Sequence, residues 1–239
     1  MPRRTGPLAP LQNANGRTRI CTSVTGPTVS QLAEKAEGAL AEGTDLVEFR
    51  IDMLRSPIFD EMKTELRKFA PVSVFTLRPA REGGGFVGKE ARRLELIRAL
   101  AGLKPAHLDV ELRTLEANPG LLSKKPAQSL IVSWHDLVGT PGRARLNAIM
   151  TRSESFGGLS KLVTTADDAA DNIAILSLYD RPGRRPIAFC MGDRGVFSRV
   201  MAMQLGSPMA YVSLAGDPTA SGQLTLGQAL AIRRRLQDA

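Results

Sequence analysis

Short apolar runs alternate along the chain with longer segments in which apolar residues recur at helical spacing. Each short run is rich in aliphatic and β-branched side chains and has the length of a buried strand. The pattern predicts eight strands, at Arg19–Val24, Leu46–Asp52, Val72–Arg78, His107–Leu112, Leu130–Asp136, Leu159–Thr165, Pro186–Met191 and Met209–Ala215.

One helix is predicted after each strand, and two of the helices have recognisable start signals. Thr28 precedes the first helix, and Pro141 stands at the start of the fifth, where proline is favoured. The helix after the fourth strand is the least regular, because Pro119 and Gly120 lie inside it. The predicted helices are Val29–Glu42, Ile58–Phe69, Lys89–Leu103, Leu115–Leu122, Pro141–Phe156, Asp168–Tyr179, Val196–Leu205 and Leu224–Gln237.

The alternation of strands and helices predicts βαβ units and a parallel sheet. Eight such units match a closed (β/α)8 barrel, which typically needs roughly 250 residues. A doubly wound open sheet is the alternative, but no G-x-G-x-x-G follows the first strand and the sequence has no P-loop. We therefore expect a single-domain (β/α)8 TIM barrel over residues 18–239, preceded by a flexible basic leader over residues 1–17.

The formal net charge of the chain is +8, carried mainly by arginine. Such a charge attracts either nucleic acid or a small acidic substrate. The basic residues cluster near the two ends and are otherwise spread over the predicted helices, with no aromatic platform between them. The sequence therefore favours an acidic small molecule over nucleic acid as the partner.

The sequence contains no apolar run long enough to span a membrane and no apolar signal core near residue 1. Cys21 and Cys190 each lie inside an apolar run. That placement indicates buried, reduced thiols rather than a disulfide framework or a metal site. We expect a cytoplasmic protein that binds neither membranes nor nucleic acid.

Polar side chains occupy alternate positions of several predicted strands. Glu48 and Arg50 share one face of the second strand, opposite apolar neighbours. In a closed barrel this face fills the interior, and charged residues at the carboxyl ends of the strands build active sites. His135 closes its strand and is expected at the catalytic mouth, whereas His107 opens its strand and is expected at the opposite end in a structural role.

Lys161 is the only lysine inside a predicted strand. It would be an ordinary solvent-reaching lysine on an edge strand, but a closed barrel has no edge. A desolvated amine tends to lose its proton and then attacks carbonyl carbons. With His135 one strand earlier, this favours imine chemistry in which the histidine moves protons near neutral pH.

Other polar residues near the strand ends are candidates for substrate binding. Arg50, Arg78 and an arginine in the segment 191–199 have the fork geometry that holds a carboxylate, although each is alternatively a surface charge. Glu82 precedes the glycine-rich run Gly83–Gly85 and is placed to orient His135. The glycine run itself is either a flexible connection or a lid.

Short motifs follow one another along the strands in a specific order. They are Glu48-Phe49-Arg50-Ile51-Asp52, Thr76-Leu77-Arg78 with Glu82-Gly83-Gly84, Ser133-Trp134-His135-Asp136 with Thr140-Pro141, Lys161, Met191-Gly192 with Ser198-Arg199, Gly206-Ser207, and Thr219-Ala220-Ser221-Gly222-Gln223. As an ordered set, these motifs make the chain similar to the type I 3-dehydroquinate dehydratases, over nearly its whole length from about residue 18 onward.

The resemblance implies a homodimeric (β/α)8 barrel that dehydrates 3-dehydroquinate to 3-dehydroshikimate in the shikimate pathway, with no metal and no cofactor. Lys161 would form an imine with the C3 ketone. His135 would remove a C2 proton and later protonate the departing C1 hydroxyl, giving syn elimination, and Glu82 would orient His135. Arg199 would pair with the substrate carboxylate. The remaining substrate contacts, under a lid formed by the loop after the eighth strand, would be Ser23, Glu48, Arg50, Arg78, Thr219 and Gln223.

Three departures from the family pattern occur. The usual lid sequence Ser-Ala-Pro-Gly-Gln is replaced by Thr219-Ala220-Ser221-Gly222-Gln223. Threonine keeps the hydroxyl, whereas loss of the proline is expected to loosen the lid and slow its closure. Leu137 stands where the family has phenylalanine, which is expected to alter only packing. The segment around Lys161 matches less well, so its assignment rests on strand order and on spacing from His135.

Two other functions remain compatible with parts of the sequence. A class I aldolase-type lyase would share the lysine but hold a sugar phosphate on backbone amides after the seventh and eighth strands, for which Gly192–Gly195 is a candidate. Arg199 and Gln223 favour a carboxylate and a polyol instead. A non-catalytic basic binding protein is the third hypothesis, and the set of Glu82, His135 and Lys161 argues against it.

Overall fold

A computed structural model of the chain describes residues 17–56, 59–122, 129–180 and 183–237. The predicted leader, residues 1–17, therefore lies outside the described residues except for Arg17, whose guanidinium is 2.9 Å from the Asp45 carboxylate.

Eight parallel strands form one sheet in the spatial order β7-β6-β5-β4-β3-β2-β1-β8. Parallel ladders join all seven neighbouring pairs in this order. Within the described strands no ladder joins β7 to β8, so the barrel is closed everywhere except at this one junction. The strands are β1 Arg19–Val24, β2 Leu46–Arg50, β3 Ser73–Thr76, β4 His107–Glu111, β5 Leu130–His135, β6 Leu159–Thr165, β7 Ile187–Met191 and β8 Met209–Ser213.

A helix follows each strand, as the (β/α)8 prediction requires. The helices are α1 Val29–Ala41, α2 Phe59–Leu66, α3 Glu90–Gly102, α4 Leu112–Ala117, α5 Arg143–Glu154, α6 Ala169–Leu176, α7 Val196–Gln204 and α8 Leu226–Gln237. The start signal at Thr28 is confirmed, because its side chain accepts a hydrogen bond from the Gln31 amide at 3.3 Å and caps α1. The single-domain (β/α)8 barrel is confirmed.

The helix after β4 is the largest difference from the sequence prediction. It was expected at Leu115–Leu122 but begins directly after the strand, at Leu112, and ends at Ala117. Pro119 explains the early end, since proline disfavours the helical conformation of the residue before it and cannot donate an intrahelical hydrogen bond.

Several other boundaries differ because short 3-10 segments replace the ends of predicted elements. The second strand ends at Arg50, and Ile51–Met53 forms one 3-10 turn. The second and sixth helices end at Leu66 and Leu176 and continue as 3-10 turns rather than as α-helix. These turns shape the exits of the barrel without changing the order of the elements.

Two apolar layers confirm the predicted alternation of strand faces. Side chains such as Phe49, Val110 and Trp134 pack outward against the helices in the main core. A separate inner cluster that includes Leu46 and Ile131 fills the barrel near the amino ends of the strands. The polar interior positions therefore lie toward the carboxyl ends, where an active site of this fold is built.

None of the helices in the described ranges is both long enough and apolar enough to cross a lipid bilayer.

Candidate active site

A pocket opens at the carboxyl ends of the strands, and every side chain that the sequence predicted for the site lines it. These residues are Ser23, Glu48, Arg50, Arg78, Glu82, His135, Lys161, Arg199, Thr219 and Gln223. They come from widely separated positions in the sequence because the strands of a barrel, and the loops and helices that follow them, all contribute side chains at this end.

Lys161 lies at the centre of the pocket, in the middle of β6. It is 4% exposed, and its Nζ is 3.0 Å from Asp109 Oδ2 and 3.7 Å from Glu48 Oε1. The same nitrogen lies 3.7 Å from the centroid of the Tyr211 ring. The sequence predicted a desolvated amine with polar interior residues of other strands nearby, and the structure identifies its neighbours as two carboxylates and an aromatic face.

Asp109 and Arg78 form a buried ion pair beside Lys161. Arg78 Nη2 donates to Asp109 Oδ1 at 2.8 Å, and Ser133 Oγ donates to the same oxygen at 2.6 Å. Although burial pushes the pKa of Asp109 up, the charges of Arg78 and Lys161 prevail and hold that pKa below its usual range. Asp109 is thus a permanent anion between the two cations.

His135 ends β5 and approaches Glu82, which ends the 3-10 turn Ala80–Glu82. His135 Nδ1 is 3.3 Å from Glu82 Oε2. Burial, followed by the positive charges of Arg78 and Lys161, lowers the pKa of His135 well below its ordinary value. The imidazole is therefore neutral at physiological pH and available as a base.

Glu82 is buried and has a shifted proton affinity of its own. Burial raises the pKa of Glu82 to about 7, although the nearby Arg78 charge opposes the rise. Its second oxygen, Oε1, has no hydrogen-bond partner among the described residues. When Glu82 is ionised, it accepts the Nδ1 proton of His135 and leaves Nε2 as the basic nitrogen.

Two hydroxyls hold the Glu48 carboxylate at the side of the pocket. Ser23 Oγ donates to Glu48 Oε2 at 2.5 Å, and Thr76 Oγ1 donates to Glu48 Oε1 at 2.8 Å. Arg50 forms a bidentate pair with Asp52, with hydrogen bonds of 3.0 and 2.7 Å. Both groups are fixed before any ligand enters.

Arg199, on α7, differs from the other pocket arginines because it has no carboxylate partner among the described residues. Its Nη2 reaches only the Ser221 carbonyl, at 3.5 Å, and its Cζ lies 4.4 Å from the centroid of the Phe189 ring. Burial lowers the pKa of Arg199 to about 10. A buried guanidinium without an anion is a ready site for a carboxylate.

The loop after β8 folds over the exit of β7 beside Arg199. Thr219 donates from its amide and its hydroxyl to Gln223 Oε1, at 2.8 and 2.9 Å. The Gly192 amide donates to the Ser221 carbonyl at 3.1 Å, so the residue that replaces the family's proline is bound through its backbone. A Cβ on Gly222 would lie 2.1 Å from the Gly192 carbonyl oxygen, so only glycine fits there.

The glycine run after Glu82 is a close-packed turn. A Cβ on Gly84 would lie 2.0 Å from the Arg78 carbonyl oxygen, and the Gly84 amide donates to the Pro79 carbonyl at 3.1 Å. The Gly85 amide donates to Asp52 Oδ2 at 2.9 Å. The turn therefore ties Glu82 to the ends of β2 and β3 through backbone contacts.

The structure also places the second histidine as the sequence predicted. His107 is buried at the start of β4, where the Arg19 guanidinium approaches its Nε2 at 3.1 Å. Cys21 and Cys190 are buried free thiols, as expected. Within the described residues, no group of three or more His, Cys, Asp and Glu side chains is arranged to hold a metal ion.

Sequence reasoning assigned no role to Asp109, Ser133 or Tyr211, which all lie next to Lys161 or its partners. Their signal was strand parity, because Asp109 and Ser133 alternate with outward-facing apolar residues on β4 and β5. Strand parity indicates that a side chain faces the barrel interior, but it does not indicate which side chain on a neighbouring strand it contacts. The pairing of Ser133 with Lys161 in neighbouring strands follows from the ladder register.

Residues 20–238 of the chain match the family model described as type I 3-dehydroquinase. A 3-dehydroquinate dehydratase of Desulfotalea psychrophila is 35% identical over 225 residues, which cover 91% of this chain and 97% of the relative. A 3-dehydroquinate dehydratase of Dehalococcoides mccartyi is 32% identical over 223 residues, which cover 92% and 96% respectively.

Solved structures with the same fold are also similar to this chain. The crystal structure of 3-dehydroquinate dehydratase from Geobacillus kaustophilus superposes with a TM-score of 0.81 at 24% identity, covering 92% of this chain and 91% of that chain. This likeness concerns the barrel and its order of elements.

Proposed function

The chain belongs to the type I 3-dehydroquinase family, and we propose that it dehydrates 3-dehydroquinate to 3-dehydroshikimate through an imine on Lys161. One observation supports this most strongly. A single pocket contains a buried lysine, a neutral histidine paired with a glutamate, and an arginine that has no carboxylate partner in the described part of the chain. That set provides a nucleophile, a base and a carboxylate site within one enclosure.

The reaction begins at the substrate ketone. The amine lone pair of Lys161, which lies 3.0 Å from Asp109, attacks C3, and any proton that the amine gives up passes by way of the neutral His135 to the carbinolamine hydroxyl. Loss of water from the resulting carbinolamine gives a protonated imine, which draws electrons from the C2–H bond. Asp109 and Glu48 lie beside this positive charge and stabilise it.

His135 moves the protons of the elimination step. Its neutral imidazole takes a C2 proton, and the C–H electrons form an enamine with the nitrogen of Lys161. The enamine then expels the C1 hydroxyl, which leaves as water with the proton that His135 had taken. Because one group serves both positions, hydrogen and hydroxyl leave from the same face. Hydrolysis of the imine releases the product and restores Lys161.

The remaining pocket groups bind the substrate. Arg199 binds the substrate carboxylate, since among the residues that the structure describes it is the pocket arginine without an acidic partner. The Glu48 carboxylate and the guanidinium groups of Arg50 and Arg78 bind the hydroxyls of the substrate, together with Ser23 and the lid residues. These groups are Ser23, Glu48, Arg50, Arg78, Thr219 and Gln223.

The experiment that tests this function is a spectroscopic assay of the purified protein with 3-dehydroquinate. A conjugated enone forms in the product and absorbs in the ultraviolet, so turnover gives a rising absorbance. We expect turnover with 3-dehydroquinate and none with ketose phosphates. Lys161→Met removes the nucleophile and is the matched control for background dehydration. Cleavage of a ketose phosphate without enone formation would support an aldolase instead.

We also propose that the protein acts as a cytoplasmic homodimer, the assembly that the family resemblance implies. Sedimentation equilibrium across a range of protein concentrations measures the mass directly. A mass of about twice the 25.7 kDa chain supports the dimer, and a single-chain mass at all concentrations refutes it.

A further inference from the structure

Arg93 is the largest wholly buried side chain in the described part of the protein. It lies on α3, on the helix face that also buries Leu96, Ile97 and Leu100 against the barrel. Burying a guanidinium among leucines is unfavourable unless every donor has an acceptor. The partners of Arg93 therefore indicate why a charge is kept at this position.

Two of these partners belong to the barrel. Arg93 Nη1 donates to Glu111 Oε2 at 2.7 Å and to the Leu77 carbonyl at 3.0 Å. Its other nitrogens donate to the Glu90 carboxylate, at 2.7 and 3.0 Å, and Nη2 also donates to the Thr114 hydroxyl at 2.6 Å. The guanidinium is thus fully engaged and fixed in one orientation.

Both barrel contacts lead to Arg78. Leu77 is its neighbour in the chain, so the bond to the Leu77 carbonyl fixes the backbone that carries Arg78. Glu111 accepts from Arg93 with one oxygen and from Arg78 Nη1 with the other, at 3.0 Å. Arg78 in turn contacts Asp109, which contacts Lys161. A continuous buried chain of charges therefore runs from α3 to the proposed nucleophile.

We propose that Arg93 is a positioning residue for the active site, which fixes the Arg78 guanidinium through Glu111 and the Leu77 carbonyl. This inference rests on the proposed function, because Arg78 is there a substrate-binding group. Without Arg93, the buried Glu111 carboxylate loses its cation on the helix side and keeps only Thr114 and Arg78. A bidentate pair of Arg78 with Glu111 then becomes favourable, at the expense of the contacts to Asp109 and Ser133.

Steady-state kinetics of Arg93→Met test the proposal, with Arg92→Met as the matched control. Arg92 precedes Arg93 on the same helix but is exposed, and within the described ranges its one ion pair is with Glu95. We expect Arg93→Met to raise KM about tenfold, the size of coupling seen between contacting charged groups, with kcat changed less than about threefold. Arg92→Met is expected to match the wild type. Wild-type KM in Arg93→Met would overturn the proposal.

A double-mutant cycle separates positioning from a general loss of stability. In an Arg78→Met background there is no guanidinium left to position, so adding Arg93→Met is expected to change kcat/KM less than about twofold. An equal loss in both backgrounds would mean that Arg93 acts on the fold and not through Arg78. Arg93→Lys keeps the charge and is expected to restore part of the lost affinity.

Crystal structures of the Arg93→Met and Arg93→Lys variants give a readout that needs no activity and that survives failure of one variant to fold. We expect the distance from Arg78 Nη2 to Asp109 Oδ1 to increase from 2.8 Å to beyond hydrogen-bonding range in the methionine variant, or to lengthen measurably in the lysine variant. An unchanged contact in whichever variant folds refutes the positioning role. A wild-type protein that is inactive on 3-dehydroquinate would refute the proposed function alone.

Discussion

Lys161 lies between two carboxylates at the centre of the pocket, and each nearby residue has a distinct electrostatic part. Asp109 is held as an anion by two cations, whereas His135 is held neutral by burial and by the same cations. The pocket therefore keeps a negative charge beside the lysine nitrogen and leaves the histidine without a proton. This separation suits a reaction in which the lysine ends as a positive imine and the histidine begins as a base.

The acid limb of the pH profile is expected to report Glu82. Its pKa is about 7, so the orienting carboxylate is present above that pH and is lost as the pH falls through it. His135 has a lower pKa and stays neutral over the same interval. We therefore predict that kcat/KM falls below about pH 7 in the wild type, with a midpoint close to the pKa of Glu82.

Glu82→Gln is the variant that isolates this titration. The amide cannot ionise, so the acid limb is expected to move to lower pH, toward the depressed pKa of His135, with a reduced plateau. The measurement is log kcat/KM against pH for both proteins. The same midpoint in wild type and variant would contradict the assignment of the limb to Glu82.

At the scale of elements, the predicted strands differ from the observed strands at their ends and not in their interiors. Alternation of apolar and polar residues predicted β1 and β6 to the residue, because both are bounded by turn formers and have clean runs. It did not predict the 3-10 turn Ile51–Met53, since those residues continue the strand pattern. That turn is fixed by tertiary contacts, among them the bond from the Gly85 amide to Asp52.

The turn at Gly84 illustrates the same point, because the sequence suggested a flexible loop or a lid there. The expected effect of Gly84→Ala is a loss of about 1–3 kcal/mol in the free energy of unfolding, since the new methyl group would meet the Arg78 carbonyl at 2.0 Å. The strain displaces both Arg78 and Glu82, so kcat/KM is expected to fall as well.

Gly38→Ala provides the control for that variant. Gly38 lies inside α1, and a Cβ at this position would meet no atom of a neighbouring element within 4 Å, so alanine there is expected to stabilise the protein by about 0.5–1 kcal/mol. Both values follow from urea unfolding monitored by circular dichroism. Gly84→Ala with wild-type stability and activity would show that the turn yields more easily than its packing indicates.

At the scale of the whole molecule, the eight-fold alternation of strands and helices was sufficient to predict the barrel. The chain order also placed His135 and Lys161 on neighbouring strands. The contacts among charged interior residues could not be predicted, because they depend on ladder register and on side chains such as Arg93 that reach in from a helix. The near-closure of the sheet between β7 and β8 likewise has no sequence signal.

The net charge of +8 predicts that salt slows capture of an anionic substrate. Raising the NaCl concentration from roughly 0.02 to 0.5 M shortens the screening length several-fold and is expected to lower kcat/KM by about threefold or more. The value of kcat is the internal control, because it concerns the bound substrate and is expected to stay nearly constant. A kcat/KM that is independent of salt would exclude long-range attraction.

The most direct test of the imine mechanism is reduction with borohydride in the presence of 3-dehydroquinate, followed by intact-mass and peptide analysis. The mechanism predicts a stable adduct on Lys161 and none in Lys161→Met. His135→Ala is expected to keep the adduct while losing about 10²–10⁴-fold in turnover, the range typical of general base catalysis. A folded, active protein that gives no adduct, or an adduct on a different lysine, would contradict the central role of Lys161.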